Sequence, residues 1–375
     1  MRLDRGLSLS VLGVAVVFGS GASQAWSDQI ARTASGHPDL TGNYNAATLT
    51  PLERPKQFGD KAFLTPEEAT AVAAREHSLQ QKGSARSDAD RGAPPEGGSK
   101  VVGLEETEGG GNEFGAGNVG AYNLFWMDRG TDANVIDGRI PTSILTQPKN
   151  GRMPALTEEG RKAFAAQLAG IGRPNDGTAW WVELDGPGPY DGPESMPLRE
   201  RCLLGFTGVA PTFPGLYNNY KKIVQTDDHI MILLEMVHDA RIVRMKREGA
   251  AVEHPDPGIK SWLGDSIGWW EGGTLVVETT NFLPHEGRSG GSVNKHVVER
   301  FTKQTDGNVL YQFTVTDPST WTQPWSGQYM WRASRDSVYE YACHEGNYAM
   351  GNVLRGARIL EAEALGRPLP EYSVH

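Results

Sequence analysis

The chain has 375 residues, of which 36 are lysine or arginine and 46 are aspartate or glutamate, so the formal net charge is −10. This acidic balance argues against a nucleic-acid-binding protein, because a surface that binds phosphates shows a basic stripe. A chain of this length with 38% hydrophobic residues can bury a substantial core without a metal or a dense disulfide framework.

The first 25 residues have the pattern of a secretory signal peptide. Arg2 and Arg5 precede an apolar run over 7–18, and Ser23 and Ala25 are the small residues expected before a cleavage site. The run is too short to span a bilayer, and no later segment approaches the roughly 18 apolar residues of a membrane helix. We therefore expect a periplasmic or secreted protein, cut near Ala25, whose mature chain has no membrane span.

Residues 26–120 are expected to form an extended N-terminal segment with one helix. Thr65 is a helix-capping residue followed by Pro66 and two glutamates, which predicts a helix that ends near Gln81. Residues 83–120 are rich in glycine, serine, proline and acidic residues, which predicts a flexible linker.

Residues 121–375 are expected to form a β-rich domain, because they hold nine of the ten tryptophans and many short strand patterns. Two helices are also predicted, one starting at Thr157 and one over Asn352–Leu365. The predicted strands are Arg139–Thr146, His229–Val237, Ala240–Arg247, a hairpin around Gly272-Gly273, His296–Lys303, Val309–Thr316, Gln328–Arg332 and Val338–Cys343. The fold class is therefore mainly β: an antiparallel meander closing into a barrel or folding as a sandwich, with a few peripheral helices.

The spacing of the polar residues does not decide whether their side chains face solvent or the interior of a barrel. His229–Val237 is a nearly continuous apolar run, which predicts burial on both faces. A barrel could instead enclose polar side chains that line a cavity. We expect each of the candidates to face solvent: Glu278, Glu299, Arg300, Gln312 and Glu340.

The two cysteines, Cys202 and Cys343, lie 141 positions apart. In an oxidising compartment this number of cysteines predicts one disulfide. A nucleophilic or metal-bound thiol is the alternative.

Two motifs combine an imidazole with a carboxylate. His238, Asp239 and Arg241 follow an apolar strand, and could supply a general base, its orienting partner and an anion clamp. His344 and Glu345 follow Cys343 directly, so a disulfide would support a second acid–base pair. The alternatives are a polar turn for the first motif and a polar strand end for the second.

Other residues suggest ligand binding. Trp321, Trp325 and Tyr348 are expected to contact an apolar or sugar-like substrate, although the tryptophans could equally be core. The Asp265-Ser266 pair is expected to be only a turn. A zinc or iron site is a weaker alternative, with His238, His296, His344 and Glu299 as its ligands, so no cofactor is predicted. The usual nucleophile, phosphate-loop, zinc and calcium motifs are absent from the sequence.

Seven segments carry a likeness to other proteins: Pro51-Leu-Glu-Arg-Pro, Phe125-Trp-Met-Asp-Arg-Gly, Glu200-Arg-Cys, His238-Asp-Ala-Arg, Gly264-Asp-Ser-Ile-Gly-Trp-Trp-Glu-Gly-Gly-Thr-Leu-Val-Val-Glu-Thr-Thr-Asn-Phe, His296-Val-Val-Glu-Arg-Phe and Tyr341-Ala-Cys-His-Glu-Gly-Asn-Tyr. Together they resemble a large family of exported bacterial proteins over nearly the whole mature chain. The resemblance implies export and a common β-rich fold, and no particular reaction. A weaker likeness is to lipocalin-type barrels, through Gly42 and Tyr44, although lipocalins usually have tryptophan at the second position.

Two functions follow as hypotheses. The first is an exported enzyme that uses acid–base chemistry without an organic cofactor on a small apolar or aromatic compound in a barrel cavity, by hydrolysis, elimination or isomerisation. The second is a periplasmic, lipocalin-like binding protein for a hydrophobic or sugar ligand. In both, the partner is a small molecule rather than a nucleic acid.

Overall fold

Nine strands close into a barrel in the computed structural model, which describes residues 30–83, 127–171, 177–205, 208–247, 251–284 and 290–370. The predicted signal peptide and nearly all of the predicted linker lie outside these residues. The strands are β1 (Gly42–Asn45), β2 (Phe63–Leu64), β3 (Ile140–Pro141), β4 (Leu145–Gln147), β5 (Tyr220–Gln225), β6 (His229–Leu234), β7 (Ala240–Met245), β8 (Asp265–Glu271), β9 (Thr274–Thr280), β10 (His296–Lys303), β11 (Val309–Thr316) and β12 (Trp325–Ser334). The helices are α1 (Pro66–Gly83), α2 (Glu158–Ile171) and α3 (Tyr348–Ala364).

The barrel runs in the order β1-β5-β6-β7-β8-β9-β10-β11-β12, and β12 pairs with β1 to close the ring. All neighbours in the ring are antiparallel except β7 and β8, which run parallel and interrupt the meander. The closing strand β1 comes from the N-terminal segment, so that segment is part of the barrel. Strand β4 pairs with β12, and β2 and β3 form a separate ribbon. The prediction of a mainly β barrel with a few helices is confirmed.

Elements with a strong local signal form as predicted. The Glu68 N–H donates to the Thr65 hydroxyl at 3.3 Å, and Glu68 accepts the Thr65 N–H at 2.7 Å, which is a complete capping box for α1. The Gly160 N–H donates to the Thr157 hydroxyl at 2.9 Å at the start of α2. Strands β10 and β11 have their predicted bounds, and β8 and β9 form the predicted hairpin.

Two strand predictions are wrong. The segment 338–343 has irregular backbone. It finds no place in the ring, because β12 already pairs with β11, β1 and β4. Residues 139–146 are divided between β3 and β4, because intervening backbone groups bond elsewhere. The N–H of Thr142 donates to the carbonyl of Ala62 at 3.0 Å, and that of Ile144 donates to Pro51 at 2.8 Å.

The predicted apolar strand over 229–237 ends earlier, at Leu234, where the chain turns. One of its faces is buried in the barrel, while Met231 and Leu233 on the other face are only half-buried. The prediction of burial on both faces is therefore wrong.

The interior of the barrel is filled by aromatic rings from β10, β11 and β12. The rings of Tyr311 and Trp331 stack with centroids 4.9 Å apart, and Phe301 meets Trp331 edge-on at 5.4 Å. Glu299 lies among these rings with an exposed fraction of 0%, so its predicted solvent exposure is wrong. The other four candidates are exposed or half-exposed: Glu278, Arg300, Gln312 and Glu340.

The segment 208–213 packs against inward-facing side chains of the barrel. The Thr212 N–H donates to the hydroxyl of Tyr311 at 3.1 Å, and the hydroxyl of Tyr329 donates to the Thr212 carbonyl at 2.8 Å. The ring of Phe213 contacts Phe313 with centroids 5.5 Å apart. The backbone N–H and the carbonyl of Thr212 are thus both hydrogen-bonded to barrel side chains, as buried polar groups require.

Candidate functional site

The predicted motif at His238 forms the connection between β6 and β7. A short 3₁₀ turn, Met236–His238, reverses the chain, and the His238 N–H donates to the carbonyl of Glu235 at 3.3 Å. The φ angles of Val237 and His238 are 57° and 44°, in the left-handed region. That region costs a residue other than glycine about 1–2 kcal/mol, and such strain is concentrated at functional sites. The His238 side chain is exposed.

Asp239 is buried behind this turn, under the loop that follows Cys202. Its Oδ2 accepts the Gly205 N–H at 2.9 Å, and a Cβ added to Gly208 would lie 2.0 Å from the same oxygen. Burial raises the pKa of Asp239 to about 6, although the Gly205 hydrogen bond and the charge of His238 act in the opposite direction. Asp239 therefore changes protonation near neutral pH, which suits a general acid or base.

The predicted disulfide is confirmed: Cys202 and Cys343 are bonded, with their Cα atoms 5.7 Å apart. Neither sulfur is therefore available as a nucleophile or metal ligand. The bond joins the loop over the buried carboxylate to the segment that carries His344 and Glu345, and both of those side chains are exposed. Asp239 and Cys343, the residue before His344, thus both contact the loop 202–205, and the catalytic role of the two motifs stays a prediction.

A surface cleft of about 430 Å³ is lined by residues that precede each of the two motifs in the chain. Glu235, at the start of the β6–β7 turn, and Tyr341, two residues before Cys343, both line it. A second cleft of about 420 Å³ adjoins it and shares Tyr220 and Glu235. Four tyrosines line the two clefts together: Tyr217, Tyr220, Tyr339 and Tyr341.

The clefts also contain carboxylates, contributed by Asp128, Glu235 and Asp336. The hydroxyl of Tyr220 donates to Asp336 Oδ2 at 2.6 Å, and this bond, with a second one from Ser334, lowers the pKa of Asp336. Glu235 accepts the backbone N–H of Tyr220 at 3.1 Å through Oε2. The walls of the clefts are therefore both aromatic and acidic.

Arg241, predicted as an anion clamp, points into the barrel. Its two terminal nitrogens donate to both oxygens of Glu299, and the NH2 bond is 2.8 Å long. Tyr311 donates to Glu299 Oε1 at 2.6 Å, and Arg241 NH1 also donates to the Thr279 hydroxyl at 3.3 Å. Burial alone would lower the pKa of Arg241, but Glu299 raises it above its usual value. The guanidinium is therefore a partner of Glu299 and does not reach the cleft.

The residues predicted to bind substrate are in two different environments. Trp321 and Trp325 are buried, with ring centroids 5.3 Å apart, and Trp325 also meets Phe313 edge-on at 5.7 Å. They belong to the aromatic core. Tyr348 is 78% exposed at the first turn of α3. The sequence did not predict the cleft tyrosines, because no periodic pattern distinguishes them from other loop residues.

A further group of ionisable residues, whose proximity the sequence did not predict, lies on the outer face of the barrel. His254 Nδ1 is 2.6 Å from Asp265 Oδ1, and His254 Nε2 is 3.7 Å from Glu278 Oε2. His296 Nε2 lies 2.8 Å from Glu278 Oε1. Bonding to His296 lowers the pKa of Glu278. Only the pairing of strands reveals this group, because its members are dispersed over the segment before β8 and over β8, β9 and β10.

The four residues suggested as metal ligands do not come together. Glu299 is inside the barrel and His296 is on its outer face, while His238 and His344 are exposed in loops. Across the described residues, no group of three histidine, cysteine or acidic side chains is arranged to hold a metal ion.

Comparisons with known proteins leave the family open. No protein-family model and no curated protein matches the chain. Within the part of the chain that the structure covers, none of the helices has the length and apolar character needed to cross a bilayer.

Proposed function

We propose that this protein is an exported enzyme that performs acid–base chemistry, without an organic cofactor, on a small aromatic or apolar molecule bound in the cleft. One observation carries the proposal: Glu235, three residues before His238, and Tyr341, three residues before His344, line the same cleft. Clefts with convergent polar groups and aromatic walls are the usual setting for small-molecule chemistry.

The residues have different roles in this proposal. Glu235 is the carboxylate that reaches the substrate directly, because it lines both clefts. His238 and Asp239 form the acid–base pair of the adjoining turn, and His344 and Glu345 form the pair at the disulfide. Hydrolysis, elimination and isomerisation all need a proton moved to or from a carbon or oxygen atom, which these groups supply.

The proposal that the protein is exported rests on three features. The disulfide between Cys202 and Cys343 is compatible with an oxidising compartment. The first 25 residues have the composition of a signal peptide, and the motifs resemble those of exported bacterial proteins. Detection of a mature N-terminus near residue 26 in the periplasm or culture medium would test this proposal.

A screen of purified protein against aromatic esters, lactones and hydroxylated aromatic compounds tests for the enzyme. Once a substrate is found, we expect Glu235→Gln to lower kcat/KM by about 100-fold or more with an unchanged melting temperature. The matched control is Glu194→Gln, at an exposed glutamate outside the cleft. Equal activity of the two variants would contradict the role of Glu235.

The second candidate is a binding protein for a hydrophobic or sugar ligand. The observation that favours it is the set of four tyrosines, because aromatic rings present flat apolar faces with a polar tip. This function predicts ligand retention without a product. Tyr339→Ala and Tyr341→Ala would then weaken binding, whereas Glu235→Gln would leave the ligand uptake unchanged.

A further inference from the structure

The first cleft, with a volume of about 430 Å³, carries negative charge on its walls. Its lining contains two carboxylates, from Asp128 and Glu235, together with three tyrosines and two asparagines that carry no charge. Asp128 is exposed and Glu235 is half-buried, so one carboxylate lies at the surface and the other is partly shielded from water. Such a lining favours a positively charged ligand, because walls of one charge sign raise the local concentration of counter-ions.

Each of the two carboxylates uses one oxygen to hold the backbone of the cleft wall. Asp128 Oδ1 accepts the Gly130 N–H at 3.1 Å, and Glu235 Oε2 accepts the Tyr220 N–H at 3.1 Å. In the part of the chain that the structure describes, neither carboxylate forms an ion pair with a lysine or arginine, and their other oxygens accept no hydrogen bond. Asp128 Oδ2 and Glu235 Oε1 are therefore available to a ligand.

The cations nearest to this cleft offset only part of its negative charge. Lys221, enclosed in the barrel behind the wall, interacts electrostatically with Glu235 and offsets one of the two charges. Arg129 forms an ion pair with a glutamate of α1, in which NH2 and Oε1 are 3.1 Å apart. Arg335 lines the second cleft together with Asp336, so the formal charges of these two cancel. One negative charge is left over, which matches a ligand with one positive charge.

The tyrosines of the first cleft indicate what kind of cation it accepts. Tyr217, Tyr220 and Tyr341 are all half-buried. The hydroxyl of Tyr220 donates to Asp336 at 2.6 Å, which fixes the ring that the two clefts share. The face of an aromatic ring attracts a cation and also packs against apolar groups. Carboxylates beside aromatic rings therefore suit an ammonium ion that carries alkyl groups better than they suit a bare metal ion.

We infer that the cleft selects an organic monocation, namely a small molecule with an alkylated ammonium group. Asp128 and Glu235 supply the counter-charge, and the three tyrosine rings contact the alkyl groups. This inference rests on the proposed function, because it names the substrate class of the same cleft. Glu235 remains the proton-transferring group of that proposal, so Asp128 is the residue that acts on specificity alone.

The test measures binding rather than turnover, by titration calorimetry on the full mature protein at low ionic strength. The probes are choline and 3,3-dimethylbutan-1-ol, which has nearly the same shape and no charge. We expect choline to bind about 10-fold more tightly than the alcohol, because only the charged probe gains from the rings and the carboxylates. Calcium chloride should not displace choline, and displacement by calcium would overturn the inference in favour of an inorganic cation.

Asp128→Asn removes the charge and keeps an oxygen that can accept the Gly130 N–H. We expect it to weaken choline binding by about 5-fold, with an unchanged melting temperature and unchanged affinity for the alcohol. The matched control is Asp137→Asn, at an exposed aspartate outside the cleft, which should bind choline as the wild type does. If Asp128→Asn does not fold, Tyr341→Leu is the second variant, and it should weaken choline binding through loss of the ring.

Equal affinities of the wild type for choline and the alcohol would overturn the inference, as would a folded Asp128→Asn variant that binds choline like the wild type. These outcomes are distinct from failure of the proposed function. Tight choline binding without turnover of any compound would contradict the enzyme and leave the ligand class intact. Turnover of uncharged compounds without a preference for choline would contradict the ligand class and leave the enzyme intact.

Discussion

Arg241 and Glu299 form a two-pronged ion pair that crosses the barrel from β7 to β10, strands that are separated by β8 and β9. Both side chains are almost completely inaccessible to water. The hydroxyl of Tyr311 donates to Glu299 and accepts the backbone N–H of Thr212, so the ion pair is linked to the segment 208–213. Removal of one partner from a buried ion pair of this kind strongly destabilises the fold, because the remaining charge is left uncompensated.

Glu299→Gln is expected to destabilise the fold by about 3–5 kcal/mol, because it leaves the Arg241 charge buried without its partner. Replacing both partners, as Arg241→Met with Glu299→Leu, should restore most of the lost stability. Chemical denaturation measures both effects. The control is Glu271→Gln, which breaks the exposed ion pair with Arg300 and should hardly change the denaturant concentration at the midpoint of unfolding. A Glu299→Gln midpoint equal to that of the control would disprove the role of the pair.

Asp239→Asn is expected to change how stability depends on pH. The folded pKa of Asp239 is raised to about 6 from an ordinary value of 3.8, so its contribution is fully present below pH 3.8 and is lost as the pH rises through 6. The variant should therefore be more stable than the wild type by about 1–3 kcal/mol at pH 7.5, and about equal to it at pH 4.

Thermal melts of both proteins between pH 4 and pH 7.5 would measure this difference. Asp336→Asn is the control, because hydrogen bonds from Tyr220 and Ser334 lower the pKa of Asp336, which is the opposite direction. That variant should give no stabilisation at pH 7.5. A constant difference between Asp239→Asn and the wild type at every pH would show that Asp239 titrates normally.

Gly208→Ala is expected to destabilise the protein by about 1–3 kcal/mol, because the added Cβ would lie 2.0 Å from Asp239 Oδ2. The loop would have to lift away from the buried carboxylate, so the substitution also tests whether this contact matters for any activity. The control is Gly351→Ala in α3, where nothing lies within 4 Å of the added atom. Alanine in a helix should stabilise there. Equal melting temperatures of the two variants would contradict the close approach at Gly208.

The candidate site could be predicted only in part. The sequence indicated the motifs at His238 and His344, and the disulfide between Cys202 and Cys343. It did not indicate that Arg241 is bound by Glu299, because these two residues lie 58 positions apart and no local pattern relates them. The cleft was missed for the same reason, since its tyrosines come from segments that meet only in the folded barrel.

Local signals in the sequence determined the elements whose formation depends on neighbouring residues. The caps at Thr65 and Thr157 determined where two helices begin, and the glycines at 272 and 273 determined a hairpin. Alternation in β10 showed that Val297, Glu299 and Phe301 share a face. Closure of the ring decided whether that face is exposed to solvent or buried. The periodicity of a strand shows which of its residues share a face, but it does not show what that face packs against. Tertiary structure likewise decided that residues 338–343 form no strand, since pairing requires a partner with free backbone groups and the closed barrel leaves none beside β12.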